Sequence, residues 1–471
     1  ATAGRNLNNA ANDRNVAIGS AAMLGASSGT RTAAKNIGIG VQALQNITTG
    51  SHNVAVGDVT MLSITEGDKN TAIGSSAGTA ITTGEQNVVL GYQALLAGIN
   101  NSYNVVIGVE AFKTADDGEN NNVAIGWGAG QLVNNSGADE NVFIGTFAGK
   151  GGTGALTKSV AVGVNALKST AANGSTGQVA IGHDALAALT SGNRTTAVGY
   201  QAGQTAETID YTTIVGYQAG LKLLDSESNT LIGYNSGFSL GSDQADKNTF
   251  VGSASGANGD YTTTNNNTAN NNVGIGSSSM GGYQGSGSSY NFTGANNVAV
   301  GFESLRVVTS GNSNVALGAY AGYDLNAGLQ NVLVGQSAGE NITDGDNNVL
   351  LGYRAGYTAN FNNSIGIGYR ALYNNTADGN IAIGYDSGFA LTDGGSNTTI
   401  GYQAGAAMTN NNNNVIVGYQ AFDAANAGES NNVVIGQSAG GAIDDAGSDN
   451  NVLIGNNAGV GGTAAMSSCI V

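Results

Sequence analysis

The chain of 471 residues carries 76 glycines, no proline, a single cysteine and a formal charge of −17 from 32 acidic and 15 basic residues. Acids spread thinly, with no Lys/Arg cluster, exclude a nucleic-acid surface; one cysteine excludes a disulfide framework; and without an apolar run of about 18 residues no helix is expected to span a membrane. Hydrophobic residues make up 41% of the chain and recur at fixed spacing, enough to bury a continuous core, which excludes plain disorder.

Residues 1–14 form a lead with Arg5, Asp13 and Arg14 and no evident cap. Its Ala-Thr-Ala start without an initiating methionine suggests processing from a longer product. From there one phrase of the type Asn-Val-Ala-Ile-Gly recurs 25 times, from Asn15–Gly19 to Asn451–Gly455. Aligned on their glycine (Gly19, Gly40, Gly57, Gly74, Gly91 and on to Gly455), the copies lie mostly 16 to 19 residues apart. Residues 15–252 and 297–459 hold regular copies. Residues 253–296 hold irregular ones, with spacings of 24 and 25 between Gly252 and Gly301, and residues 460–471 form a small, apolar tail.

Val, Ile or Thr stands three residues before each glycine and Ile, Val or Leu directly before it, as Ile18 and Ile454 do. That alternation is strand periodicity. An Ala, Ser or Thr follows three residues after the glycine in every copy, as at Ala43, Ala94, Ser236 and Ala404, which implies close backbone approach. Gly, Asn, Asp, Ser and Thr fill the stretches between copies, which is turn chemistry. Each copy is expected to form two short strands and two turns, one coil of an all-β, parallel β-solenoid of about 25 coils. Every ladder N–H is then in use, which fits the absence of proline.

The two flanking strand positions are expected to face the core. The position between them, two before the glycine, should then face water, yet it holds Ala17, Val89, Phe143, Leu231, Phe250, Leu333 and Ile416 and never a charge or an amide. A strand apolar on both faces calls for a second surface, and a homo-oligomer, preferably three-fold, would supply it.

The phrase with its glycine and trailing small residue, as in "NVAIGWGAG" at 122–130 and "NIAIGYDSG" at 380–388, resembles the head repeats of trimeric autotransporter adhesins. Similar repeats occur in phage tail fibres and other surface fibres. The resemblance spans about Asn15 to Gly459 and implies a left-handed parallel β-roll, a homotrimer, and attachment to a host surface or matrix from a cell surface or a virus particle. The alternatives are a self-assembling extracellular filament with a purely structural role and, further off, a carbohydrate-active β-helix enzyme. Solenoid ends present open strand edges, so joining to other parts of a fibre and end-to-end stacking both stay open.

Asn precedes the glycine by four residues in 20 of the 25 copies, as at Asn36 and Asn70; stacked amides one coil apart can bond along the solenoid as a ladder. Gly19 and Gly91 mark where the strand turns. Tyrosine follows the glycine at Tyr92, Tyr200, Tyr217, Tyr234, Tyr353, Tyr369, Tyr385, Tyr402 and Tyr419, a stacked row that would grip sugars or pack against a neighbouring chain. In the irregular coils the loop aromatics Tyr261, Tyr283, Tyr290 and Phe292 are candidates for ligand contact, with a structural bulge as the competing reading. Asp116, Asp117, Asp344, Asp346, Asp444 and Asp445 lie in Asn/Gly-rich turns and offer hard oxygen ligands for Ca²⁺, though their spacing fits no known calcium loop; otherwise they are solvated turn acids. No further cofactor is expected. His52 and His183 stand on distant coils, so no shared triad is expected, and the chain is not expected to be an enzyme. Thr196, Thr213, Thr230 and Thr249 repeat as well, but as core-facing residues they would not form an ice-binding array.

Overall fold

The computed structural model describes residues 14–25, 32–152, 154–169, 174–241, 245–257, 268–281, 292–426, 428–445, 447–460 and 470. The chain is an all-β parallel β-solenoid of about 24 turns, with no helix among the described residues. It divides into two compact units, Ala1–Asn229 and Thr230–Val471.

In the first unit, twelve three-residue strands from Val16–Ile18 to Thr213–Val215 pair in parallel, each with the same position of the next coil, as Val54↔Thr71 and Ala55↔Ala72 do. The second unit repeats the scheme with thirteen strands from Thr230–Ile232 to Val452–Ile454. Register survives the long spacings: Thr249–Val251, Val273–Ile275 and Val298–Val300 pair residue for residue. Most coils have this one strand only. The second strand expected per coil appears locally in the first unit, at Leu156–Thr157, Ser175–Thr176, Gly192–Asn193, Thr208–Asp210 and Asp225–Glu227. Elsewhere the rest of the coil is turn. Residues two and four after the glycine take positive φ, such as Gln42 at 59° and Leu44 at 54°, and their N–H groups bond to neighbouring coils, Gln42 to Ser20 O at 2.8 Å and Leu44 to Thr60 O at 3.1 Å. The backbone is thus satisfied without a second sheet.

The phrase glycine ends each strand because nothing else fits. Gly91 has φ +135°, and a Cβ there would lie 2.4 Å from the carbonyl oxygen of Gly108 one coil on; Gly19 repeats the arrangement against Gly40. The small residue three further on is buried, as at Ala43, Ala94, Ser236 and Ala404, except in the last coil, where Ala458 is half-buried.

The strand faces are the reverse of those expected from the sequence. The middle residue points into the coil: Ala17 is half-buried at the first strand, and Val89, Phe143, Leu231, Phe250, Leu333 and Ile416 are fully buried. The flanking residues point outward, with Ile18 57% and Ile454 58% exposed. Thr196, Thr213, Thr230 and Thr249 occupy the outer face too, half-buried. The interior is narrow and is filled jointly by the middle strand residue and the residue four after the glycine. Where the first is Phe or Leu the second is glycine: a Cβ on Gly149 would lie 2.2 Å from the Phe143 ring, and one on Gly256 2.3 Å from the Phe250 ring. Several coils with Ala or Gly first carry a large second residue, as in Ala55 with Met61 and Gly366 with Leu372, whereas others are small at both positions and are filled from the next turn, as by Ile81 beside Ala72 and Gly78. Constant volume at close packing explains the pairing.

Candidate functional site

Inverting the strand faces exposes three columns along each unit. Outward positions three before, one before and one after the glycine lie two residues apart and share a face. They are Val/Ile/Thr, then Ile/Val/Leu, then a column of Val41, Tyr92, Val109, Trp127, Val164, Tyr200 and Tyr217 in the first unit. In the second unit the third column includes Tyr234, Phe302, Tyr353, Tyr369, Tyr385, Tyr402 and Tyr419. The two strand columns are continuous within each unit, and the third is interrupted by polar residues such as Asp58, Ser75, Thr146, Ser277 and Gln336.

The tyrosines stack. Tyr353, Tyr369, Tyr385, Tyr402 and Tyr419 follow at centroid spacings of 5.2, 4.8, 5.1 and 5.1 Å with interplanar angles of 16° or less. In the first unit His183, Tyr200 and Tyr217 do the same at 5.5 and 5.2 Å. Inner rings therefore have both faces covered by their neighbours and present edges and hydroxyls outward. A sugar cannot lie flat on such a ring, so any grip by the row would use its hydroxyls and its ends. A shorter row, Tyr357, Tyr373 and Phe389, stacks beside it at 5.1 Å per step.

Arginines sit between the two rows. The Arg370 guanidinium lies 5.1 Å from the centre of Tyr369 and 4.6 Å from that of Phe389. It donates to both carboxylate oxygens of Asp386 one coil on, Nε to Oδ1 at 2.8 Å and Nη2 to Oδ2 at 2.6 Å. These bonds hold the Arg370 pKa above its usual value. Arg354 holds the same offset one coil earlier, with its guanidinium 5.2 Å from Tyr353 and 4.9 Å from Tyr357, both rings of its own coil.

The asparagine column is the internal ladder foreseen. Asn36 Oδ1 accepts the backbone N–H of Asn53 at 2.8 Å and its Nδ2 at 3.1 Å, while Asn53 Nδ2 also donates to Gly67 O across the coil at 2.8 Å. Asn70 and Asn87 continue the pattern. All are fully buried, so the amides are structural. At the position six before the glycine the sequence offered Asp346 as a calcium ligand, but the recurring role there is structural. There Asp68, Asp139, Asp210, Asp346, Asp378 and Asp449 each accept a backbone N–H from the preceding coil, Leu329 to Asp346 at 2.7 Å for one. The recurrence of Asp at that offset was the available signal.

The predicted site residues separate. Tyr261, Tyr283 and Tyr290 lie outside the described residues. Phe292 is fully buried, so it fills a coil and is not available as a loop platform. Asp344 accepts from Thr343 Oγ1 at 3.3 Å, and Asp445 Oδ1 accepts the Gly447 N–H at 3.0 Å. Asp116 is half-buried, whereas Asp117 and Asp444 are exposed. Among the described residues no group of three or more His, Cys, Asp or Glu is placed to hold a metal ion. His52 is exposed; His183 Nδ1 lies 3.0 Å from Asp184 Oδ2.

No protein-family model matches the chain, and no curated protein is significantly similar to it.

Proposed function

We propose that the chain is a structural, adhesin-like fibre protein that assembles with copies of itself, three-fold, through the outward strand face, and serves attachment outside the cell or on a virus particle. The observation that carries this reading is the continuous apolar face of Val, Ile and Leu along each unit. Three columns about 13 Å wide over twelve strands about 4.8 Å apart give on the order of 700 Å² per unit. That exceeds the few hundred Å² that lone proteins commonly leave bare and comes near the roughly 800 Å² per partner of a stable complex. Every coil offers the same columns, so a copy meets a copy in register, and closed rotational symmetry buries the two strand columns, with the column after the glycine at the open rim of the contact. The resemblance to adhesin head repeats supports a three-fold arrangement, and net charge of −17 keeps assembled fibres apart in solution.

Sedimentation and cryo-electron microscopy of the purified chain test the reading together: a mass of three chains and a three-fold section are expected. Val415→Lys, at an outward position 40% exposed, is expected to lower the assembly mass while leaving the β-sheet circular dichroism intact. A wild-type chain that sediments as a monomer at high micromolar concentration refutes the proposal.

A further inference from the structure

We propose that Tyr353, Arg354 and Tyr357 form a binding subsite for the carboxylate or sulfate of an acidic polysaccharide that runs along the tyrosine row. The inference deepens the attachment reading above by naming the ligand class.

The argument starts from three arginines. Arg306, Arg354 and Arg370 are the arginines of the second unit. Arg306 Nη1 is paired with Glu303 Oε1 at 2.6 Å, and Arg370 is paired with Asp386 through two parallel bonds. Arg354 also lies against one ring of each row, though both belong to its own coil whereas Phe389 beside Arg370 belongs to the next. The Arg354 guanidinium, however, makes no ion pair and no hydrogen bond among the described residues, and its Nε is buried without an acceptor. The reason lies one coil on: where Arg370 finds Asp386, Arg354 finds Arg370, a like charge. Arg370 with Asp386 thus displays, within the same fold, what a guanidinium held between two such rings accepts, namely a planar two-oxygen anion. Arg354 presents that fork with its anion still to come.

The surroundings favour a sugar as the bearer of the anion. Tyr353 and Tyr357 are the first rings of their rows, since Gln336 and Glu340 precede them by one coil. Each therefore keeps one ring face that no other aromatic covers, a place where a pyranose could stack next to the Arg354 guanidinium. From there the rings of Tyr369, Tyr385, Tyr402 and Tyr419, each bearing a hydroxyl, continue at centroid steps of 4.8 to 5.2 Å, comparable to one sugar of an extended polysaccharide. Glu340 is the acid nearest by column and would oppose an anion weakly across solvent.

The test measures binding of oligogalacturonate, a sulfated oligosaccharide and a neutral malto-oligosaccharide of equal length to the full chain by calorimetry at low and high salt, with assembly mass followed in parallel. One or both acidic probes should bind and the neutral one should not, and the two acidic arms separate carboxylate from sulfate. Arg354→Gln should weaken binding about tenfold or more, and Arg354→Lys, which keeps charge without the fork, by less. Asp386→Asn releases Arg370 as a second fork on the same ligand and should tighten binding, by about threefold or more. Unchanged binding in Arg354→Gln, equal binding of the neutral probe, or no binding of either acidic probe overturns the proposal. So does a fall in assembly mass in Arg354→Gln with no acidic probe bound by the wild type, because the fork then serves a second copy. A wild-type monomer that still binds through Arg354 refutes the three-fold fibre and leaves this subsite standing.

Discussion

The stretch from Ser159 to Thr212 in the first unit and the stretch from Asn297 to Asn348 in the second close their coils in different ways. In the second, four successive asparagines form the buried ladder, each Nδ2 reaching a turn carbonyl 13 or 14 residues on at 2.7 Å. The turns there are tight: the N–H groups of Thr309, Ser310 and Gly311 all point at Asn326 O, at 3.0 to 3.2 Å. In the first, the column reads Ser159, Gln178, Thr195 and Thr212, and the extra parallel strands appear beside it. Gln178 Nε2 still reaches Gly192 O at 2.6 Å, but Thr195 Oγ1 reaches Ile209 O only at 3.3 Å. In this stretch the far turn straightens into a ladder of its own, as in Ser175 N–H to Ala155 O at 2.9 Å, although Ser364 in the second unit replaces the amide without a second strand. Amide and second strand are thus two answers to one requirement, the pairing of buried turn groups.

The interior should be common to both units, and its substitutions carry the largest effects. Phe143→Ala in the first and Phe250→Ala in the second each leave a cavity opposite a glycine, Gly149 or Gly256, that cannot fill it. Each should cost about 4 kcal/mol in chemical denaturation. Markedly unequal costs would break the view that the two units share one packing rule. Double replacement tests the pairing itself, because Phe143→Ala with Gly149→Ala should cost less than the two single costs added. The amide ladder should then separate the units. Asn331→Ala removes two donated and two accepted side-chain bonds and should cost about 3 kcal/mol, against about 1 kcal/mol for Thr195→Ala with its one long bond. Hydrogen exchange resolved by coil gives the matching readout, with slower exchange around Asn314 to Asn348 than around Gln178 to Thr212. Equal costs would mean that the second strands replace the amides in full.

The repeat length, the parallel register, the glycine turn and the asparagine ladder were legible in the sequence because each is locked to one offset. The sidedness of the strand was not. Alternation tells two faces apart without saying which is inside, and here both are apolar. Ile and Val before the glycine look like core because β-branched residues usually are. The decisive signal was coupling between offsets: Phe143 with Gly149, Phe250 with Gly256, Gly366 with Leu372. Residues that trade volume share a cavity, whereas the Ile18 to Ile454 column varies with no partner. Single-strand coils were missed because the turn uses positive φ at non-glycine residues such as Gln42 and Leu44, which composition does not announce. The arginine contrast was invisible too, since Arg354 and Arg370 differ only in what stands one coil further on.

The smallest effect concerns a carboxyl group that both units bury. Glu119 in the first accepts Asn101 Nδ2 at 3.1 Å and Glu429 in the second accepts Asn411 Nδ2 at 2.7 Å, each fully buried. Burial first, and then the charge of Asp116, push the Glu119 pKa above its ordinary value; the residue matching Asp116 in the second unit is the neutral Asn426. A carboxyl with a raised folded pKa favours the fold in its protonated form. Its contribution is complete below the unfolded value, near 4.3, and is lost as pH rises through the folded one. Glu119→Gln keeps an acceptor for Asn101 and removes the charge, so it should stabilise the chain at pH 7 by on the order of 1 kcal/mol. Thermal melts of wild type and variant should converge as pH falls toward 4 and diverge above it, with Asp116→Asn giving a smaller change of the same sign. A Glu119→Gln variant that melts below wild type at pH 7 and above it at pH 4 would show that the carboxylate is stabilising, and that Glu119 holds its turn by charge.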